Sequence, residues 1–122
     1  MRSLRRWSKG LSLIHIFEGQ KTLTYQSAGE IYNPEAWESK PYIKLYGSGN
    51  ITLSVGGQTW RVTGVSEYIE IDSEAMLCSK GQLPQNSKLH GDGFPTFPTG
   101  WSTIMTTGNV QKIEIIPRWC TL

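Results

Sequence analysis

Four carboxylates lie within one short stretch of the chain, and they are its best candidates for acid–base or metal chemistry. They are Glu67, Glu70, Asp72 and Glu74. Paired carboxylates can hydrolyse glycosidic bonds, and carboxylate oxygens are ligands for calcium. On a β-strand, however, Glu70 and Asp72 share one side while Glu67 faces the other. We therefore expect a solvated strand face that runs into a helix cap, with no catalytic residues and no metal ligands.

The other polar residues do not assemble a known catalytic or cofactor-binding pattern. The two histidines, His15 and His90, have no second His or Cys at zinc-ligand spacing. The segment His90–Gly93 could pair a base with an acid, but no serine stands in a GxSxG nucleophile elbow. Gly47–Gly49 lacks the lysine and the following helix of a phosphate-binding loop. The sequence thus predicts a protein that is not an enzyme and uses no cofactor.

Aromatic side chains are the one residue class with a binding role to weigh. The candidates for a glycan or protein interface are Trp60, Trp101, Trp119, Tyr42 and Tyr46. Exposed rings on a β-sandwich stack on the faces of sugars, whereas rings in a core or an assembly interface supply buried apolar area. We favour core or interface, but the sequence alone does not separate these roles from sugar binding.

One hairpin stands out among the elements that would position these residues. Apolar and polar residues alternate over Ile51–Val55, which is typical of a half-buried strand. Gly56-Gly57 then supplies the positive φ angles of a tight turn. Gln58–Val62 returns as the partner strand, with Trp60 and Val62 on one face.

The rest of the chain shows turn signals roughly every eight to twelve residues, with short alternating runs between them. Further strands are predicted at Lys21–Tyr25, at Tyr42–Tyr46 closed by a turn over 47–50, and at Glu67–Asp72. A second hairpin is predicted from Trp101–Thr107 and Val110–Ile116 across Gly108-Asn109. Asn33 and Asp72 are expected to cap short helical turns over 33–37 and 72–76. Gly81–Gly93 is expected to be a long polar loop, and Phe94–Pro98 an extended segment.

This rhythm predicts an all-β, two-sheet antiparallel β-sandwich with one or two short helical turns. Its core should contain Ile43, Leu45, Leu53, Val55, Ile69, Ile71, Ile113 and Ile115.

The charge of the chain does not indicate a nucleic-acid-binding protein. From Phe17 onward it has eight basic and ten acidic residues, whereas a nucleic-acid-binding domain usually carries a clear excess of basic residues. No apolar run is long enough for a membrane helix. Cys78 and Cys120 show no spacing typical of a disulfide framework, so reduced thiols are expected.

The first 17 residues are expected to be a leader, with the β-sandwich domain over 18–122. Four of the twelve basic residues lie within the first ten positions. Leu11–Ile16 resembles one reading frame of the transposon mosaic-end sequence used in library preparation. We therefore predict that residues 1 to about 16 are not native. A genuine leader or a first strand with this composition is the alternative.

Several segments together resemble the C-terminal domain of phage distal tail proteins. They include Ile43–Gly49, Tyr68–Glu74, Cys78–Gly81 and Gly108–Trp119, in the family's order from about Thr22 onward. The chain departs from the pattern at Thr99 and at Trp101-Ser102, and these departures concern the local loop conformation rather than the fold. The resemblance implies a galectin-like or jelly-roll sandwich without catalytic residues.

In that family, the domain is attached to an N-terminal belt domain that forms a hexameric ring. The ring joins the tail tube to the tail-tip or baseplate proteins of long-tailed phages, so the resemblance implies a virion structural protein assembled in the host cytoplasm. No belt-domain sequence is evident, so we do not expect this chain alone to form the ring. The leading hypothesis is an adaptor module that docks other tail proteins. The alternative is a carbohydrate-binding module for host surface glycans, which would need coplanar exposed rings beside Asn, Gln or Asp.

Overall fold

The computed structural model describes residues 22–119, and this part of the chain is built almost entirely of β-strands. The predicted leader, His15 and Cys120 lie outside the described residues. The strands are β1 (Leu23–Tyr25), β2 (Ala28–Asn33), β3 (Tyr42–Val55), β4 (Gln58–Val65), β5 (Tyr68–Asp72), β6 (Leu77–Lys80), β7 (Leu83–Pro84), β8 (Leu89–His90) and β9 (Gly100–Ile116). In the same range one 3-10 turn covers Asn86–Lys88, and no helix could span a membrane.

The strands form two antiparallel layers that share β3 and β9. Sheet A has the order β1-β9-β3-β5-β6-β7, and it uses the first half of β3 and the second half of β9. Sheet B has the order β2-β9-β3-β4-β8, and it uses the opposite halves of the same two strands. The predicted two-sheet antiparallel β-sandwich is confirmed.

Both shared strands bend where glycine lets their backbones approach. A Cβ atom on Gly47 would lie 2.1 Å from the carbonyl oxygen of Asn109. A Cβ atom on Gly108, where φ is +102°, would lie 2.5 Å from the carbonyl oxygen of Asn50. Larger residues would force the strands apart at this point, so the bend requires glycine at both positions.

The core fills the space between the two sheets. All eight core residues predicted from the alternation of β3, β5 and β9 are buried. Sheet B adds Ile31, Trp60, Val62 and Ile104, while Phe97 enters from the loop before β9. The hairpin over Gly56-Gly57 is also confirmed, with Val55 paired to Gln58 and Leu53 to Trp60.

Two predicted turns are wrong because glycine allows a bend as readily as a reversal. β3 continues through 47–50, and β9 runs unbroken from Gly100 to Ile116. The partner of β9 is β3 rather than its own second half. The predicted polar loop Gly81–Gly93 contains β7, the 3-10 turn and β8, and strands β2 and β6 were not predicted.

Neither predicted helical turn becomes a helix, although both capping hydrogen bonds form: residues 35–37 are an open bend, whereas residues 73–76 are a hydrogen-bonded turn between β5 and β6. The amide of Glu35 donates to Asn33 Oδ1 at 2.9 Å, and the amide of Ala75 donates to Asp72 Oδ1 at 3.0 Å. Asn33 Nδ2 donates to the carbonyls of Trp37 and Phe97, both at 2.9 Å. These bonds hold the segment after β2 as an open loop against the loop before β9, so no helix forms.

Candidate functional site

The most exposed aromatic side chains of the described strands meet on the outer face of sheet B. Tyr32 on β2 is directly opposite Trp101 on β9 in the strand register. Their ring centroids are 5.1 Å apart and their planes are tilted by 51°. Trp101 is 69% exposed and Tyr32 is 50% exposed. We call this the Tyr32–Trp101 pair.

Strand alternation fixes the orientation of this pair. Ser102 and Ile104 face the core, so Trp101, Thr103 and Met105 must face solvent. Glu30 is paired with Thr103, and Met105, which is 52% exposed, is paired with Ala28. The face is therefore apolar at both ends of this stretch, with one carboxylate and one hydroxyl between them.

The far part of the same face is polar. Thr52 of β3 is paired with Thr107 of β9 on one side and with Arg61 of β4 on the other. Arg61 is in turn paired with His90 of β8, and both side chains are exposed. Among the described residues, no carboxylate forms an ion pair with Arg61.

The outer face of sheet A is organised differently, because lysines and tyrosines alternate across it. The Nζ of Lys80 and of Lys44 lie 5.4 and 4.4 Å from the centroid of the Tyr68 ring. The Nζ of Lys44 and of Lys112 lie 5.0 and 4.6 Å from the centroid of the Tyr46 ring. Ammonium groups at these distances are attracted by the ring quadrupole. We call these five residues the lysine–tyrosine ladder.

Carboxylates pair with the ladder and its surroundings. Glu67 lies 3.2 Å from Lys80, and Glu114 lies 3.4 Å from Lys112 while it accepts a 2.9 Å hydrogen bond from Tyr46. Glu70 accepts hydrogen bonds from the Tyr42 hydroxyl and from a backbone amide of the β6–β7 turn. Burial, supported by the bond to Glu70, raises the pKa of Tyr42, so its hydroxyl remains a donor.

Asp72 is held by a partly buried ion pair. Arg118 Nη1 and Nη2 donate to its two oxygens at 2.6 and 3.1 Å. Burial raises the pKa of Asp72, but the bonds and charge of Arg118 and the backbone amides of Glu74 and Ala75 outweigh it, and the net pKa lies below its ordinary value. Glu74 lies 3.9 Å from the same guanidinium.

The acidic cluster is therefore a set of structural partners. Each of its four carboxylates lies within 4 Å of a lysine or arginine nitrogen or accepts a hydrogen bond. Within residues 22–119, no three His, Cys, Asp or Glu side chains lie close enough to share a metal ion. Burial raises the pKa of the Cys78 thiol to about 11, so this side chain is protonated at neutral pH.

The predicted interface residues are not brought together. Trp60 is wrong as an interface residue, because it is only 1% exposed and its Nε1 donates to the Gly93 carbonyl at 3.0 Å. Trp119 is half-buried against Phe97, with ring centroids 6.3 Å apart. Tyr42 and Tyr46 belong to the partnered face of sheet A. Of the five predicted interface residues, only Trp101 has a side chain that is mostly exposed to solvent.

Sequence reasoning missed Tyr32, the partner of Trp101. The alternation in β2 is weak because Gly29 and Asn33 occupy inward positions beside the single apolar Ile31. The signal that could have found Tyr32 is the pairing of β2 with β9, which depends on contacts distant in sequence.

A shallow depression of about 540 Å³ lies where sheet A meets the bend, lined by Tyr46, Gly47, Ser48, Glu67, Tyr68 and Gln111. Two lysine ammonium groups already lie against each of its tyrosine rings. The rings are therefore engaged within the chain, and this depression is a weaker candidate than the Tyr32–Trp101 pair.

No protein-family model matches the chain, and no curated protein matches it. The likeness to phage distal tail proteins therefore rests on the sequence segments quoted above, and the candidate site rests on geometry.

Proposed function

We propose that this β-sandwich is an adaptor module of a phage virion, which docks neighbouring tail proteins through the outer face of sheet B. The observation that carries the proposal is the exposed Tyr32–Trp101 pair with Met105 on the same face. Tyrosine, tryptophan and methionine are enriched at the centres of protein interfaces. The sequence resemblance supplies the setting, in which the partners are tail-tube, tail-tip or baseplate proteins.

The geometry favours protein docking over sugar binding. The two rings are tilted by 51° and do not form one flat platform. The adjacent outward residues are Glu30, Thr103 and Met105, so no side-chain amide lies in the neighbouring register positions. On sheet A, the tyrosine rings are already occupied by lysines.

Glycan binding is the second candidate, because a single tryptophan that is 69% exposed could stack on one sugar ring. Thr103 would supply a hydroxyl two residues away on the same face. This candidate predicts binding to host cell-wall polysaccharide, which a protein-docking face does not.

The test is co-expression of the chain with the tail proteins encoded beside its gene, followed by size-exclusion chromatography. The expected result is a stable complex that Trp101→Ser abolishes. Leu83→Ser is the matched control, because Leu83 is 64% exposed but lies on β7 of sheet A. Retention of the complex by Trp101→Ser, or loss in both variants, would contradict the proposed site. Polysaccharide binding that depends on Trp101 would favour the glycan module.

A further inference from the structure

Strand β2 is an edge of sheet B, and half of its backbone groups point away from the sheet. The amide of Thr106 donates to the Ser27 carbonyl at 2.9 Å, in the register that continues into β2. Hydrogen-bonded and non-hydrogen-bonded pairs alternate along an antiparallel ladder. The N–H and C=O groups of Ala28, Glu30 and Tyr32 therefore face outward, away from β9.

This is the longest sheet edge among the described residues. β2 contains six residues, whereas the other edge strands, β1, β7 and β8, contain three, two and two. A row of unpaired backbone groups on an edge is a template for an added strand. Three outward-facing residues offer three donors and three acceptors to such a strand.

Tyr25 partly closes this edge. Its hydroxyl donates to the Glu30 carbonyl at 3.0 Å, which is the central acceptor of the three. Its ring lies against Gly29, where a Cβ atom would be only 2.2 Å from Tyr25 Cδ1. The ring can occupy this place because Gly29 has no side chain.

We propose that β2 accepts an extended strand from a partner protein and that this strand displaces the Tyr25 hydroxyl. The inference rests on the proposed docking function and specifies the partner's chemistry. An added strand would place alternate side chains on the outer face of sheet B, beside Tyr32 and Glu30. An apolar residue there covers the Tyr32–Trp101 pair, and a basic residue two positions away faces Glu30.

The charge of Glu30 also indicates that the partner is a different chain. Among the described residues, Glu30 has no ion-pair partner. A second copy paired over the full length of β2 in antiparallel orientation would place Glu30 opposite Glu30. Like charges directly opposite each other destabilise a strand pair, whereas a lysine at that position would be attracted.

The first experiment is an NMR titration of the protein with the acetylated and amidated peptide Thr-Leu-Thr-Lys-Thr-Thr-Ser. Antiparallel pairing places its leucine opposite Tyr32 and its lysine opposite Glu30. The amide signals of Ala28, Glu30 and Tyr32 should shift, and their hydrogen exchange should slow. A peptide with an N-methylated lysine should not bind, since it lacks the donor for the Glu30 carbonyl.

Three variants separate backbone pairing from side-chain contact. Glu30→Pro removes an outward N–H without touching the ladder to β9, and proline is tolerated on sheet edges. It should weaken binding at least about 10-fold, whereas Glu30→Gln, which keeps the N–H, should stay within about threefold. Tyr25→Phe frees the central carbonyl and should tighten binding by roughly 2- to 10-fold.

Equal binding by the proline and glutamine variants, or by the N-methylated peptide, would overturn the proposal. So would unchanged amide signals at millimolar peptide, or self-association that Glu30→Pro abolishes, which would make a second copy the occupant. If Trp101→Ser loses the tail-protein complex but Glu30→Pro keeps it, the docking function stands and strand addition fails. If neither variant loses the complex, the docking function itself fails.

Discussion

The two outer faces of this sandwich contain halves of the same two strands, yet they differ in how their side chains are partnered. On sheet A, the tyrosines of the ladder lie against lysines, and Glu67 and Glu114 pair with lysines at its ends. On sheet B, Tyr32, Trp101 and Met105 each expose half or more of their surface. Sheet A pairs its tyrosine rings with charged groups of the same chain, whereas sheet B leaves the two aromatic rings of its outer face largely exposed to solvent.

This contrast shows why the number of aromatic residues is a poor guide to function here. Tyr46 and Trp101 both lie on outward positions of long strands, but only Tyr46 has cations against its ring. What distinguishes a binding surface is the aromatic area that remains exposed to solvent after folding.

Replacing Gly47 with alanine should destabilise the whole domain, because both sheets share the strands that bend at this point. The added Cβ would lie 2.1 Å from the Asn109 carbonyl oxygen, and the β9 backbone cannot withdraw without losing its bonds to β3. We expect a loss of about 3 kcal/mol or more in the free energy of unfolding, measured in urea. Gly49→Ala is the control, because its Cβ would meet nothing within 4 Å and only its φ of +79° opposes the change, at about 1 kcal/mol. Equal losses would mean that the strands do not cross closely at Gly47.

Asp72→Asn should lower the free energy of unfolding by removing an ion pair of sheet A, while the outer face of sheet B keeps all its side chains. It leaves the guanidinium of Arg118, whose side chain is 7% exposed, without its bidentate carboxylate. Because the Asp72 side chain is 28% exposed, we expect about 1–3 kcal/mol rather than the full cost of a buried pair. Glu74→Gln, at the more distant 3.9 Å contact, should cost less than about 0.5 kcal/mol.

The same pair gives a pH dependence with a defined sign. The pKa of Asp72 is lower in the folded state, so its stabilisation is complete above the unfolded pKa of about 4 and is lost as pH falls through the folded pKa. Wild type and Asp72→Asn should therefore differ most at neutral pH and converge in acid. Thermal unfolding between pH 7 and pH 2 measures this, and a constant difference over that range would contradict it.

The ladder itself should show measurable coupling between its members. A double-mutant cycle of Lys44→Met and Tyr68→Leu should give a coupling energy of about 0.5–1 kcal/mol, because the ammonium lies 4.4 Å from the ring centroid. The cycle between Arg61→Met and Trp101→Ser on sheet B should give no coupling. Coupling on sheet B as large as on sheet A would remove the distinction between the faces.

Much of the fold could be predicted because the alternation of apolar and polar residues can be recognised within each strand, without knowledge of its neighbours. Ile51–Val55, Gly56-Gly57 and the eight core residues follow from local sequence. The prediction failed at Gly108, because glycine permits both a turn and a bent strand, and only the pairing of β9 with β3 decides between them. The alternation of Trp60 with Val62 indicates the core, which is where the structure places the Trp60 side chain.

The two faces could not be predicted, because each depends on register between strands distant in sequence. Lys80 and Lys112 stand at opposite ends of the ladder, and only the sheet order brings them onto one surface. Likewise, nothing local places Tyr32 opposite Trp101. Whether an aromatic ring is covered by lysines or left exposed to solvent is therefore a tertiary property.

A small effect on stability is expected at Trp101, and it is informative about the role of this ring. Trp101→Ser removes the side chain with the greatest exposure among the large hydrophobics of the described chain. Since its ring contributes little to the core but contacts the Tyr32 ring across the strands, the free energy of unfolding should change by less than about 1 kcal/mol. Tyr68→Leu on sheet A should cost more, because it removes contacts to two lysines. Urea unfolding of both variants makes the comparison. If Trp101→Ser proves as destabilising as Tyr68→Leu, the Trp101 ring stabilises the fold itself, and the proposal that sheet B is the docking face is contradicted.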